Sequence, residues 1–450
     1  MINLKELTEI IGDKYYGKEC HVNGVSFNSN DIKYGNAFVA IVGQRDGHNY
    51  INHAIKNGAV AIIVSKKQEG LDLPQIVCSD TKFFLYRLAQ EWRLKFNIPI
   101  IAITGSCGKT STKDIIGGIL KLCGETVVTY KNYNNDLGVP FTILQINSNT
   151  KYAVLEIGTN SPGEIKYLSE LSRPTHSIIT NISGQHLEKL KTIGGVLHEK
   201  FEIFKILTHS GIACINYDET KLVNLSKSLN CKKYFYSTNS QLNNYIYLQK
   251  RISSERFIIN INGIEQLFKT NLLGEHNLEN IVASISCLTS LNIPIKTIKK
   301  GIMDVNVTSG RFTKHKLPNN IMLINDTYNA SLNSVKAAIA ELNKYEYKTI
   351  FVMTDMAEMG DATIDSHIEM GKILGNSQVD KIYFYGDIKV LKYSMDMMTN
   401  KDVCYYPSKD NILDELVKTN IIKPNSLLLI KGSRSNSMEY LVDRVLKHYL

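Results

Sequence analysis

Apolar residues in this chain fall into short blocks separated by turn residues, and the spacing inside the blocks alternates between strand-like and helix-like. Three β-rich pieces come first, at residues 22–27, 37–41 and 59–64. Between the last two runs GQRDGHNYINHAIKNGA, a loop leading into a helix that Gly58 ends, because glycine accepts the left-handed conformation that stops a helix. Residues 82–96 read as a further helix, with Pro99 behind it as a hinge. PIIAIT then has the pattern of a buried strand; a glycine turn follows, then a helix over 109–123. Strands at 126–129, 152–157, 176–181 and 211–216 alternate with helical stretches, which predicts a parallel sheet with helices on both faces. Residues 233–273 differ: YIYLQKR and RFIININ alternate at period two and predict a small antiparallel appendage. From Gly310 the chain reads IMLIND, a helix over 334–345, TIFVMTD, a helix through 366–374, KIYFYGD, NSLLLIKGSR and a last helix, a second doubly wound α/β unit.

At 450 residues the chain exceeds what one hydrophobic core supports. The pattern divides it into three α/β domains: a small one over 1–97, a central P-loop ATPase-like parallel-sheet domain over 98–309, and a Rossmann-like domain over 310–450. Composition excludes a disordered or collagen-like chain, and no apolar run approaches the roughly 20 residues needed to span a bilayer. MINLKELTEI carries no apolar signal core, so the expectation is a cytoplasmic protein without stable membrane insertion. The net charge of +9 is spread along the chain, which fits a solvated surface or an anionic small substrate better than a nucleic-acid platform. The eight cysteines form no CxxC pair and read as free thiols.

The strongest local signal is IAITGSCGKTST, residues 101–112. A strand runs into Gly105 and Gly108, whose flexibility lets backbone N–H groups face phosphate oxygens, and a helix N-terminus follows. Lys109 adds a point charge at the β- and γ-phosphates, and the Thr110 hydroxyl is placed to ligate Mg²⁺. The full phosphate-loop pattern has glycine where Ile103 stands, yet strand, glycine turn, GKT and helix keep their order. Thr104, Gly105, Ser106, Cys107, Gly108, Lys109 and Thr110 are the candidate nucleotide contacts; Cys107 reads as a small filler, with redox sensing as the alternative. The NKxD string of guanine-specific sites is absent, which favours ATP.

Further along stand NYNNDLGVP, LEIGTNSPGEI, TNISGQHLEKL, HEKFEIF, LLGEHNLEN, GRF, INDTYNASLNS, TDMAEMG and IKGSRSNSME. In that order the chain resembles the Mur ligases of peptidoglycan synthesis, over essentially its whole length and including VSFNSNDIKYGNAFVAIVGQRDGHNY at the front. The resemblance is greatest to members that add D-alanyl-D-alanine to a UDP-linked muramoyl tripeptide. It implies an ATP-dependent amide ligase working through an acyl phosphate, with small-molecule substrates, no nucleic acid and a monomeric chain. It further implies a first Mg²⁺ on Thr110 and Glu156, and a second on His186 and a carbamylated Lys200. Asn134 and Asn135 match the region of an amide near the γ-phosphate, or are an Asn-rich turn. His276, Asn277 and Asn280 match an adenine-contacting segment, Arg311 an arginine near the phosphates and Asp326 the ribose aspartate. Ser29, Gly43, Asp46, Gly47 and His48 in the front domain, with Tyr328, Asn329, Lys431, Ser433 and Arg434 in the third, are the implied substrate contacts.

Departures cluster away from the phosphate loop. Asn28-Ser29-Asn30 replaces Asp-Ser-Arg, Asn325 replaces an aspartate, Leu332 replaces a proline and Thr354 a glycine. These leave open a paralogue joining another amine to another carboxylate. A folylpolyglutamate-synthase relative would lack the front domain, and a nucleotide switch without turnover has no need of the second metal set.

Overall fold

The computed structural model describes every residue except 44, 242–244, 306–307, 358, 419–420 and 450. Gln44 of the front motif and Glu358 of TDMAEMG therefore lie outside the described residues. The front unit holds a five-stranded sheet in the order Lys14–Tyr16, Gln75–Val77, Ala59–Val64, Asn36–Val39, Gly24–Ser26, parallel except for its first strand. A small two-stranded ladder pairs Ile2–Asn3 with His21–Val22.

Helix Thr81–Leu94 ties this unit to the next. Asp80 caps it, accepting from the backbone N–H of Lys82 and Phe83. Its buried end reaches into the middle of the chain: Trp92 Nε1 donates to Ile146 O at 2.9 Å, and Arg93, 8% exposed, donates to Ser172 O and Arg173 O. One apolar core therefore runs from Leu4 and Leu88 through to Leu155 and Phe204.

The middle unit carries a nine-stranded sheet in the order Thr126–Val128, Tyr152–Glu156, Ile100–Thr104, His176–Ile179, Ile212–Asn216, Lys232–Ser237, Ile246–Arg251, Arg256–Ile261, Ile264–Lys269. The first seven strands pair in parallel and the last two antiparallel. The antiparallel pairing expected over 233–273 is present, Ile246–Arg251 against Arg256–Ile261 and the latter against Ile264–Lys269, while Lys232–Ser237 pairs in parallel on both sides. Those strands extend the central sheet, with Tyr236 opposite Ile246 and its hydroxyl donating to Ile179 O. Phe257, Ile259 and Phe268 pack in the same core as Ile281 and Ile285 of helix Glu275–Ser290. Period-two alternation is what any half-buried strand shows, so it does not distinguish a separate hairpin from the edge of a larger sheet.

The last unit has the strand order Thr313–Leu317, Ile321–Asp326, Ser426–Lys431, Lys348–Thr354, Lys381–Tyr385, Asp402–Tyr405, antiparallel only at its first pair. The two edge strands, TKHKL and DVCY, are polar enough to pass as loops in the sequence. In both larger sheets the loops that follow the parallel strands open at their C-terminal ends, where doubly wound folds bind ligands.

Candidate active site

The glycine turn after Ile100–Thr104 is held in a conformation only glycine tolerates. Gly105 has φ 149° and Gly108 φ 82°, and a Cβ would stand 1.9 Å from Thr180 Oγ1 at the first and 2.1 Å from Asn280 Oδ1 at the second. The segment after His176–Ile179 clamps the loop from beneath. Thr180 Oγ1 and Asn181 Nδ2 donate to Cys107 O, Asn181 Oδ1 accepts from Cys107 N–H, and Ser106 Oγ donates to Ser183 O while accepting from Ser183 N–H. Helix Lys109–Lys121 starts directly behind, and Lys109 Nζ curls over the loop to Gly105 O at 2.6 Å and Ser106 O at 3.2 Å. Gly108→Ala is expected to weaken ATP binding about tenfold, the order of an L-residue forced into left-handed backbone; titration with a fluorescent nucleotide checks it.

At the end of strand Tyr152–Glu156, the Glu156 carboxylate, 2% exposed, accepts from Thr110 Oγ1 and from Asn134 Nδ2, each at 2.8 Å. Arg311 Nη2, from the third unit, donates to the same Thr110 oxygen at 2.8 Å. Carboxylate and arginine thus meet at the Thr110 hydroxyl, and the Asn134 amide holds the other oxygen of that carboxylate. Asn135 instead caps its own turn, accepting from Gly138 N–H.

Across the cleft, Lys431, 1% exposed, donates to Asp326 Oδ2 at 2.6 Å and to Asn329 O at 3.0 Å, joining two adjacent strand ends. Helix Glu275–Ser290 supplies Asn280, whose Oδ1 accepts from Thr112, and Asn277, whose Nδ2 donates to Leu273 O. Asn277 Oδ1 and His276 Nδ1 are buried without a partner, and burial pushes the His276 imidazole down toward its neutral form. Of the two, His276 lines the cavity, where an orphaned ring nitrogen fits a nucleotide base that brings its own polar groups.

These groups line one cavity of about 1180 Å³, drawn from all three units. Ser106, Cys107, Gly108, Lys109, Thr110, Asn134, Asn135, Glu156, His186, His276, Asn280, Arg311, Asp326, Tyr328, Asn329, Lys431 and Arg434 all face it. Thr104, Gly105 and Asn277 lie just beneath as support. His186 stands at the head of the short helix Leu187–Leu190 with φ 54°. Lys200 is buried on helix Ile193–Lys205; burial, with the nearby Lys109 charge, pushes its amine well below the usual lysine range.

Other expected residues lie elsewhere. Ser433 is fully buried, its hydroxyl accepting from Asn436 Nδ2 and its N–H donating to Thr354 Oγ1, so it shapes the loop that carries Arg434. Ser29 pairs with His53 at 3.0 Å, and His48 is fixed between Asp46 and the Ser65 N–H. Gly47 touches Ile41 so closely that a Cβ would stand 2.6 Å from its nitrogen. None of these, nor Gly43, lines the cavity; the front unit's share comes from Asp80, Lys82 and Phe83. Sequence reasoning missed Thr180 and Asn181, although both stand in the TNISG string, and Glu199. The Glu199 carboxylate, beside Lys200, accepts from Gly163 N–H at 2.7 Å and Ile165 N–H at 2.8 Å and so sets the cavity wall.

Comparison with known proteins gives this arrangement relatives. The Mur ligase middle domain matches residues 103–288, and the Mur ligase glutamate ligase domain matches residues 310–434. A UDP-N-acetylmuramoyl-tripeptide--D-alanyl-D-alanine ligase of Buchnera aphidicola is 33% identical over 459 residues, spanning 100% of this chain and 99% of the relative. The ligase of the same name from Escherichia coli is 30% identical, over 98% of this chain and 97% of its own. The crystal structure of MurF from Acinetobacter baumannii superposes with a TM-score of 0.88 at 26% identity, covering 99% of this chain and 98% of that one. Two domain matches together with full-length identity at this level place the chain in the Mur ligase family.

Proposed function

We propose that this chain joins D-alanyl-D-alanine to UDP-N-acetylmuramoyl-tripeptide with hydrolysis of ATP, a step of peptidoglycan precursor synthesis. The γ-phosphoryl group passes to the terminal carboxylate of the tripeptide, leaving ADP and an acyl phosphate. The dipeptide amine then attacks the acyl carbon, phosphate departs with the electron pair of the C–O bond, and the nitrogen loses a proton as the amide forms. The observation that carries this reading is the meeting of Lys109, Thr110, Glu156 and Arg311 in one cavity of about 1180 Å³. The names borne by the relatives point to the same pair of substrates.

Bringing several anionic oxygens together calls for cations and positioning rather than covalent help from the protein. Lys109, on the loop carbonyls, and Arg311, on the Thr110 hydroxyl, supply positive charge. Asn134 keeps the Glu156 carboxylate turned toward Thr110. Magnesium, when bound, neutralises charge on the phosphates, and Thr110 with Glu156 would hold it. Among the described residues no group of three or more His, Cys, Asp or Glu could hold a metal unaided, which fits an ion completed by phosphate oxygens and water.

We assign a second ion to His186 and a carbamate formed on Lys200. Support for the carbamate is the environment of the amine: burial and the nearby Lys109 charge disfavour its protonated form, and the neutral amine is the form with the lone pair that carbon dioxide needs. The division into 1–97, 98–309 and 310–450 belongs to the same proposal, as does action as a monomer in the cytoplasm. Among the described residues no helix is long and apolar enough to cross a membrane. Mass spectrometry of the product tests the reaction: a muramoyl pentapeptide formed only with ATP, tripeptide and dipeptide present is expected. Stoichiometric ADP without that product would contradict it.

A further inference from the structure

Among the described residues Arg311 makes no direct ion pair, and Thr110 Oγ1 stands between it and the Glu156 carboxylate. Its Nη2 donates to Thr110 Oγ1, and its Nε is buried with no hydrogen-bond partner. What does lie against it is the Tyr328 ring: the guanidinium carbon stands 3.8 Å from the ring centre, in full contact. Arg434 reaches the same ring at 5.8 Å.

The backbone around this pair is fixed from both sides. Gly310 has φ 84°, and its carbonyl accepts from Tyr328 N–H at 3.0 Å. Phe312, a bulky residue at φ 58°, is 3% exposed, and its ring meets that of His276 at 5.1 Å. A non-glycine aromatic in left-handed backbone is strained and persists only where its surroundings over-determine it. The turn over 310–312 thus delivers Arg311 toward the phosphate loop, while Tyr328 sets the plane of its guanidinium.

We propose that Tyr328 is a positioning residue that aligns Arg311 on the nucleotide phosphates through the face of its ring. The inference rests on the reading of the cavity as an ATP site. A carboxylate partner would orient the arginine and also cancel its charge. The negative face of an aromatic ring orients a guanidinium and leaves its charge available to phosphate oxygens.

The test is a double-mutant cycle read on binding of the non-hydrolysable analogue AMP-PNP with Mg²⁺, by calorimetry on the full chain. Tyr328→Leu removes the aromatic face and is expected to weaken binding roughly tenfold, the order of a desolvated cation–π contact. Tyr328→Phe keeps the face and is expected to recover most of that loss. In the Arg311→Ala background, Tyr328→Leu is expected to cost less than about twofold more, because coupled groups do not add. If Tyr328→Leu does not fold, Tyr328→Met is measured in its place against the same outcomes. Binding of the leucine variant equal to wild type would overturn the inference, as would a phenylalanine variant no better than leucine, or an undiminished loss in the Arg311→Ala background. Because the probe needs no acyl donor, a coupled cycle in a chain that makes no pentapeptide would overturn the substrate assignment and leave the Tyr328 role standing.

Discussion

Lys109→Ala is expected to lower ADP formation by a factor on the order of 10³ or more, while the chain stays folded. The argument is electrostatic. Lys109 is the first residue of helix Lys109–Lys121, and its ammonium is gathered onto the loop carbonyls of Gly105 and Ser106. In the proposed reaction it would meet charge that develops on the transferring phosphoryl group, where fixed cations contribute several kcal/mol. Lys109→Arg is expected to remain poor, since a planar fork is a different shape from a compact ammonium in a tight turn. Single-turnover ADP formation measures both variants; activity of Lys109→Ala within tenfold of wild type would remove the lysine from phosphoryl transfer.

Lys200→Ala carries the second large effect, expected at roughly 10²-fold or more in turnover, the order of losing a positioned metal ligand. Short carboxylic acids added to this variant are expected to restore part of the rate by standing in for the carbamate. Wild-type activity should also fall on removal of carbon dioxide and return with bicarbonate. The pH dependence has a definite sign. The folded-state amine lies below the ordinary lysine value, so it is neutral over a wider range than a free lysine, and the carbamate is lost as falling pH protonates it. A Lys200→Ala enzyme with full activity, or a wild type indifferent to carbon dioxide, would contradict the assignment.

Much of this site was legible in the chain because its chemistry is local. The run from Ile101 to Thr112 carries strand, turn and helix start within a dozen residues, and both glycines stand at positive φ in the turn. Glu156, Asp326 and Lys431 were singled out through the resemblance, and the structure sets each of them at the end of a strand. What the sequence concealed were relations across long separations. Thr110 meets Arg311, and Cys107 is clamped by Asn181, through folding of distant segments that no periodicity reports. Glu199 looked like one more helix carboxylate, and only the structure shows it gathering the N–H groups of Gly163 and Ile165. The strands over 233–273 were read as antiparallel strands, but that they continue the central sheet was not legible, because alternation records exposure of one face and says nothing about neighbours. The front-unit residues Ser29, Asp46 and His48 came from resemblance alone, and their side chains are taken up with His53, Ser65 and one another.

Phosphate release from ATP, followed with UDP-N-acetylmuramoyl-tripeptide in the presence and absence of D-alanyl-D-alanine, tests the account most directly. Sustained release that requires both substrates and matches pentapeptide formation one to one is the predicted result. Nucleotide binding with no release when both are present would contradict it.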